Sequence, residues 1–119
     1  MTHPREQYAR RAALALFDRL CPYVVGNPYI PHWPTRMQVL FLGAHLRASV
    51  AKERVFECLY GGAAGGGKSD ALLMAAAQYA WKHPSFRGVC IRRTYADLAK
   101  PGALMDRAIE WWVPRGVQW

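Results

Sequence analysis

At 119 residues the chain has room for one modest hydrophobic core, whereas a complete mononucleotide-binding domain with its own catalytic machinery usually needs more. Its 52% apolar and 20% charged content is that of a globular protein, and no apolar run nears the roughly 20 residues of a membrane span. The net charge of +8 favours a polyanionic partner, although a solvated basic surface accounts for it equally well.

The N-terminal stretch MTHPREQYARRAALALFDRL is basic and partly apolar, but Asp18 and Arg19 stand where a cleavable signal needs a clean apolar core. It reads as an amphipathic helix of a cytoplasmic protein, with Tyr8, Ala12, Ala15, Leu16, Phe17 and Leu20 on its apolar side. Pro22, Pro28, Pro31 and Pro34 then make the segment to Thr35 a connector that cannot continue a helix. Thr35 is placed to cap a second helix, whose apolar face is marked by Met37, Leu40, Phe41, Leu46 and Val50. The run RVFECLYGG, rich in branched and aromatic residues and closed by paired glycines, reads as a buried strand. Alanine and leucine dominate SDALLMAAAQYAWKH, which predicts a helix ended by Pro84. RGVCIRRTY reads as a second strand and DLAKPGALMDRAIEWW as a last helix, with Pro101–Gly102 as its point of interruption.

Strand, helix, strand, helix implies an α/β fold with a parallel sheet, flanking helices and right-handed crossovers. The expected organisation is a helix and Pro-rich connector over 1–34, then the N-terminal part of a P-loop ATPase domain over 35–119. Cys21, Cys58 and Cys90 lie more than thirty residues apart and read as reduced thiols packed as small hydrophobes. His3, His32, His45 and His83 show no ligand spacing.

The chemistry-bearing motif is Gly62-Ala63-Ala64-Gly65-Gly66-Gly67-Lys68-Ser69, a full match to G-x-x-x-x-G-K-[ST] between an expected strand and an expected helix. A loop that wraps a phosphate with its own N–H groups needs positive φ angles and close approach, both cheap only for glycine. The helix N-terminus adds partial positive charge, Lys68 is placed to reach the β- and γ-phosphates of ATP, and the Ser69 hydroxyl to complete a Mg²⁺ shell. Gln38 carries an amide able to read an adenine edge, although by its position alone it reads first as a surface-helix glutamine. Arg92 and Arg93 end the second expected strand, where the ligand crevice of a parallel sheet lies, and are candidates for phosphate or a neighbouring subunit. Pairing with Asp97 or plain solvation is the alternative. Asp106 and Glu110 share a helical face with no apolar strand before them, and read as solvated.

Together, PHWPTRMQVLFL, LYGGAAGGGKSDALLMAAAQYA and CIRRTYADLAKPGALMDR resemble the N-terminal ATPase region of the large terminase subunit of tailed bacteriophages and prophages, over about Pro31 to Asp106. The resemblance implies an ATP-driven homo-oligomeric ring in the host cytoplasm that moves double-stranded DNA into a procapsid, working with a small subunit and a portal. It places the catalytic lysine at Lys68, the metal-linked hydroxyl at Ser69 and an adenine-reading glutamine at Gln38. Some members carry a phosphate-contacting arginine inside the loop, where this chain has Ala63 and Ala64, which leaves Arg92 or Arg93 for that part. No run of four apolar residues followed by Asp-Glu occurs between Ser69 and Trp119, so the acidic hydrolytic strand and the nuclease carboxylates are expected on residues this chain does not contain. An N-terminal terminase fragment, inactive alone, is the expectation; a fragment of a helicase-like enzyme or kinase, or an inactive prophage remnant, are the alternatives.

Overall fold

The computed structural model describes residues 4–50, 52, 55–61 and 67–117. It is built from helices: α1 (Pro4–Leu20), α2 (Arg36–Val50), α3 (Lys68–Lys82), α4 (Tyr95–Ala99) and α5 (Leu104–Trp112), followed by a 3-10 turn at Val113–Arg115. Pro4 opens α1, where its missing N–H costs nothing. Thr35 Oγ1 accepts from Gln38 N at the start of α2, and Thr94 Oγ1 accepts from Asp97 N at the start of α4. The expected last helix is two, α4 and α5, broken at Pro101–Gly102.

α3 is the centre of the molecule. It is rich in alanine and leucine, which lose little freedom in a helix. It buries Ala71, Leu73, Met74, Ala75, Ala77 and Gln78 between α2 and α5. Cys21 and Val24 from the connector, Phe41 and Leu42 from α2, and Leu104, Ala108 and Trp111 from α5 complete the core. Asn27 ties the connector to α3: its Nδ2 donates to the carbonyls of Tyr23 (2.8 Å) and Ala77 (3.1 Å), and its Oδ1 accepts from Tyr29 N (2.9 Å). Trp112 Nε1 donates to Tyr29 O at 3.1 Å, so α5 is fastened to the same connector.

The α/β expectation is wrong. Among the described residues there is no strand: Val55–Gly61, the described part of the first expected strand, is irregular, and so is Arg87–Thr94, most of the second. Most of their side chains face solvent, with Val55 76%, Leu59 95%, Val89 85% and Ile91 83% exposed, while Tyr60 is half-buried against the core and Phe56 meets His45. Branched residues favour strands because they pack on a pleated surface, and two short runs alone make only a marginal sheet. Helix-on-helix contacts take most of the apolar burial instead, leaving both runs at the edge of the core.

The inner face of α2 also differs from the expected one. Met37 and Leu40 are exposed, while Gln38, Val39, Phe41 and Leu42 are buried; the side chains of Leu46 and Val50 lie outside the described set. Burial of a polar residue, Gln38, rotates the face away from the one that hydrophobicity marks. On α1, Tyr8, Ala12, Ala15 and Leu16 of the expected apolar side are exposed, and the Phe17 and Leu20 side chains lie outside the described set. Cys21 is buried, with its thiol pushed up to about 11 by desolvation, whereas Cys58 and Cys90 are exposed rather than packed. No described helix is long and apolar enough to cross a membrane.

His45 sits among the rings of Phe41, Phe56 and Tyr79, each edge-on to it, with Nδ1 2.9 Å from Tyr79 Oη. Desolvation lowers the imidazole pKa below its ordinary value and raises that of the Tyr79 phenol.

Two outcomes follow from this packing. Asn27→Ala should cost about 1–3 kcal/mol in chemical denaturation, because it strips partners from buried backbone groups. His45 stays neutral in the folded state while the unfolded chain takes up the proton first, so its contribution is complete above histidine's ordinary pKa and is lost as pH falls below it. Melting temperature measured against pH should show that acid loss, and His45→Phe should flatten it.

Candidate functional site

Gly67 immediately precedes α3 and takes the left-handed conformation, φ 73° and ψ 22°. Its carbonyl serves twice: Ala71 N donates to it at 3.0 Å, beginning the helix, and Gln38 Nε2 donates to it at 2.9 Å. Gln38 Oε1 accepts from Thr35 N at 2.8 Å, so the amide spans from the end of the connector to the start of α3. The side chain is 2% exposed. A Cβ placed on Gly67 would lie 2.5 Å from Gln38 Nε2, so glycine is required here both by backbone conformation and by space.

Lys68 and Ser69 occupy the first turn of α3, half-buried, where the helix dipole gives partial positive charge. Gly62, Ala63, Ala64, Gly65 and Gly66 lie outside the described residues. Asp70 follows Ser69 with its side chain 15% exposed; Oδ1 accepts from Arg107 Nη1 at 2.6 Å, and Oδ2 lies 3.1 Å from His32 Nε2. Arg107 Nε also donates to Gly102 O, and Gly102 N donates to Asp106 Oδ2 at 2.9 Å. The His32 ring stands edge-on to Trp111 at 5.3 Å.

The structure thus joins Gln38 to the end of the glycine-rich loop, a contact between residues 29 positions apart. It puts both ends of the Gln38 amide on backbone and buries them, so what stands between the amide and an adenine edge is burial. Arg92 and Arg93 are exposed in the irregular segment before α4, without the strand end that motivated their choice. Glu110 is exposed, and Asp106 anchors the turn before α5. Three residues that sequence reasoning passed over, His32, Asp70 and Arg107, stand together beside the loop. Asp70 adjoins the motif and was open to notice. Its partners come from the connector and α5, and no local pattern announces them.

Among the described residues no group of three or more His, Cys, Asp or Glu side chains could hold a metal ion. A larger concavity, about 690 Å³, lies along α3, α5 and the 86–90 segment, and its walls include Leu73, Ala77, Tyr79, Phe86, Leu104 and Trp112. Being apolar, it is unsuited to phosphate.

Comparison with protein-family models, with curated proteins and with solved structures gives no match.

Gly67→Ala tests the geometry of the loop end. Gly102, at φ 75°, has open space where a Cβ would go. Gly102→Ala should therefore cost about 1–2 kcal/mol of backbone strain alone, and Gly67→Ala should cost more in the same denaturation experiment. Equal losses would show that the Gln38 contact adds nothing.

Proposed function

We propose that the chain binds ATP, with the glycine-rich loop and the first turn of α3 holding the phosphates, as the nucleotide-binding part of a DNA-packaging motor of the large-terminase kind. The observation that carries this reading is the junction at Gly67. A left-handed glycine, its carbonyl clamped by buried Gln38, delivers the chain into a helix whose first residues are Lys68 and Ser69.

The reading borrows no support from a sheet. It rests on features that act locally: N–H groups of the loop, the dipole of α3, the Lys68 ammonium and the Ser69 hydroxyl. Mg²⁺ characteristically takes one or two protein oxygens and completes its shell with water and substrate phosphates. A lone Ser69 hydroxyl fits that habit better than a dedicated protein cage would. In this reading Mg²⁺ offsets phosphate charge, Lys68 orients the terminal phosphates, and Gln38 holds the loop end in register.

The net charge of +8 suits double-stranded DNA as the polyanion the motor would move. A ring of copies, a small subunit, a portal and the host cytoplasm belong to the same proposal through the three resembling segments. Because no apolar run ending in Asp-Glu occurs after Ser69, the chain by itself is expected to bind nucleotide and turn over little.

Calorimetric titration with Mg-ATP should give Lys68-dependent binding, weakened about tenfold or more in Lys68→Ala, the loss of one charge-assisted phosphate contact. Unchanged affinity in that variant would falsify the proposal. Titration of Gln38→Ala with ATP and GTP separates its two roles: equal weakening marks a loop clamp, and selective loss of ATP marks adenine reading.

A further inference from the structure

Beyond its first turn α3 is apolar on every side. From Ala71 to Trp81 it is aliphatic or aromatic except for Gln78, which is itself buried. A helix of that kind belongs where other elements cover it all round. The core covers Ala71, Leu73, Met74, Ala75 and Ala77. Leu72, Ala76 and Ala80, four residues apart and so in one row along the helix, lack such cover among the described residues: Leu72 and Ala80 are exposed and Ala76 is half-buried. This row lines the concavity of about 690 Å³, whose walls also include Phe86, Val89 and Cys90. Its size is that of a binding site. Tyr79 Oη is engaged by His45, and Trp112 Nε1 donates to Tyr29 O, so the walls offer apolar contact and few hydrogen bonds.

The chain around this groove carries charge of one sign. Between Ala71 and Met105 stand Lys82, Arg87, Arg92, Arg93 and Lys100, and the one carboxylate is Asp97. Arg87, Arg92, Arg93 and Lys100 are exposed, and none forms an ion pair among the described residues. Arg87 lies between the wall residues Phe86 and Gly88, and Lys100 follows the wall residue Leu98 by two positions. A second copy would bring the same net charge of +8 to the contact and be repelled. Double-stranded DNA matches the charge, but its phosphate backbone leaves an apolar concavity unfilled.

We propose that the groove along Leu72, Ala76 and Ala80 is a docking site for an amphipathic helix of a partner protein, apolar on the face that enters the groove and acidic on its flanks. The small side chains of Ala76 and Ala80 let a second helix axis come close. Apolar anchors at i, i+3, i+4 and i+7 fill the concavity, as in other helix-in-groove contacts. The exposed arginines and Lys100 draw the acidic flanks in and set the orientation. The site uses the flank of α3 and not its first turn, so it is independent of nucleotide binding.

The three cysteines supply the readout. Cys90 is exposed and lines the groove, Cys58 is exposed elsewhere, and Cys21 is buried. The probe is a synthetic peptide with leucine at i, i+3, i+4 and i+7 and glutamate on its other faces. At about ten times its dissociation constant it should slow alkylation of Cys90 by iodoacetamide about tenfold in the unmodified full chain and leave Cys58 unchanged. By calorimetry, a peptide of the same composition with its leucines scattered round the helix should bind about tenfold or more weakly, and so should one with lysine for glutamate. Ala80→Glu places a carboxylate in the groove, and Arg87→Glu reverses a charge on an exposed, irregular segment where the fold does not depend on it. Each should weaken the glutamate peptide about three- to tenfold, the loss in Arg87→Glu shrinking as salt is raised. Absence of Cys90 protection overturns the proposal, as does equal binding of either control peptide or unchanged affinity in both variants. Protection of Cys90 that grows with chain concentration alone marks a second copy as the occupant, and equal protection by a double-stranded oligonucleotide marks nucleic acid; either result overturns it.

Discussion

Everything in this structure depends on the burial of α3 between α2 and α5. Its inner face presents Ala71, Leu73, Met74, Ala75 and Ala77, small and medium side chains that let two neighbouring helices approach. Leu42 and Phe41 fill the gap on one side, Leu104, Ala108 and Trp111 on the other, and Cys21 and Val24 close it from the connector. Once α3 is held there, the position of its N-terminus is set. So is the position of whatever the glycine-rich loop in front of it grips.

The polar groups around that N-terminus divide the work. Gln38 restrains the backbone at Gly67 from the α2 side, and Asp70 restrains the first turn from the α5 and connector side. The two restraints differ in kind. The Gln38 amide is buried and neutral, so leaving either of its ends unpaired costs desolvation free energy. The Asp70 cluster is charged and half-exposed through Arg107 and His32, so water screens it. The restraint at Gly67 therefore involves no charge, whereas the ion pair at Asp70 is weakened by salt.

The helices were legible in the sequence because their signals are local. Alanine-rich composition, Pro84 after the helix and Pro101–Gly102 within the last apolar stretch act over one or two turns, and the observed ends of α3 and the break between α4 and α5 follow them. The sheet was misread for the opposite reason. Val55, Leu59, Val89 and Ile91 are of strand type, but a strand exists only when a partner satisfies its backbone, and such a partner is a non-local fact. The face of α2 was misread because Gln38 broke the apolar pattern from within the core. Within the site, the run Gly62 to Ser69 was visible as a motif. The Gln38–Gly67 contact and the partners of Asp70 were not, since they join residues 29, 37 and 38 positions apart.

By itself, the sequence determined where helices start and stop, where the chain must turn, and that one loop is nearly bare of side chains ahead of a lysine and a serine. Tertiary structure alone decided that two strand-like runs remain at the edge of the core, that a glutamine faces inward, and that a histidine, an aspartate and an arginine meet at the start of α3. The division follows from range. Capping, helix propensity and glycine conformation are settled within a few residues, whereas burial and charge pairing depend on which distant segments the packing of α3 brings together.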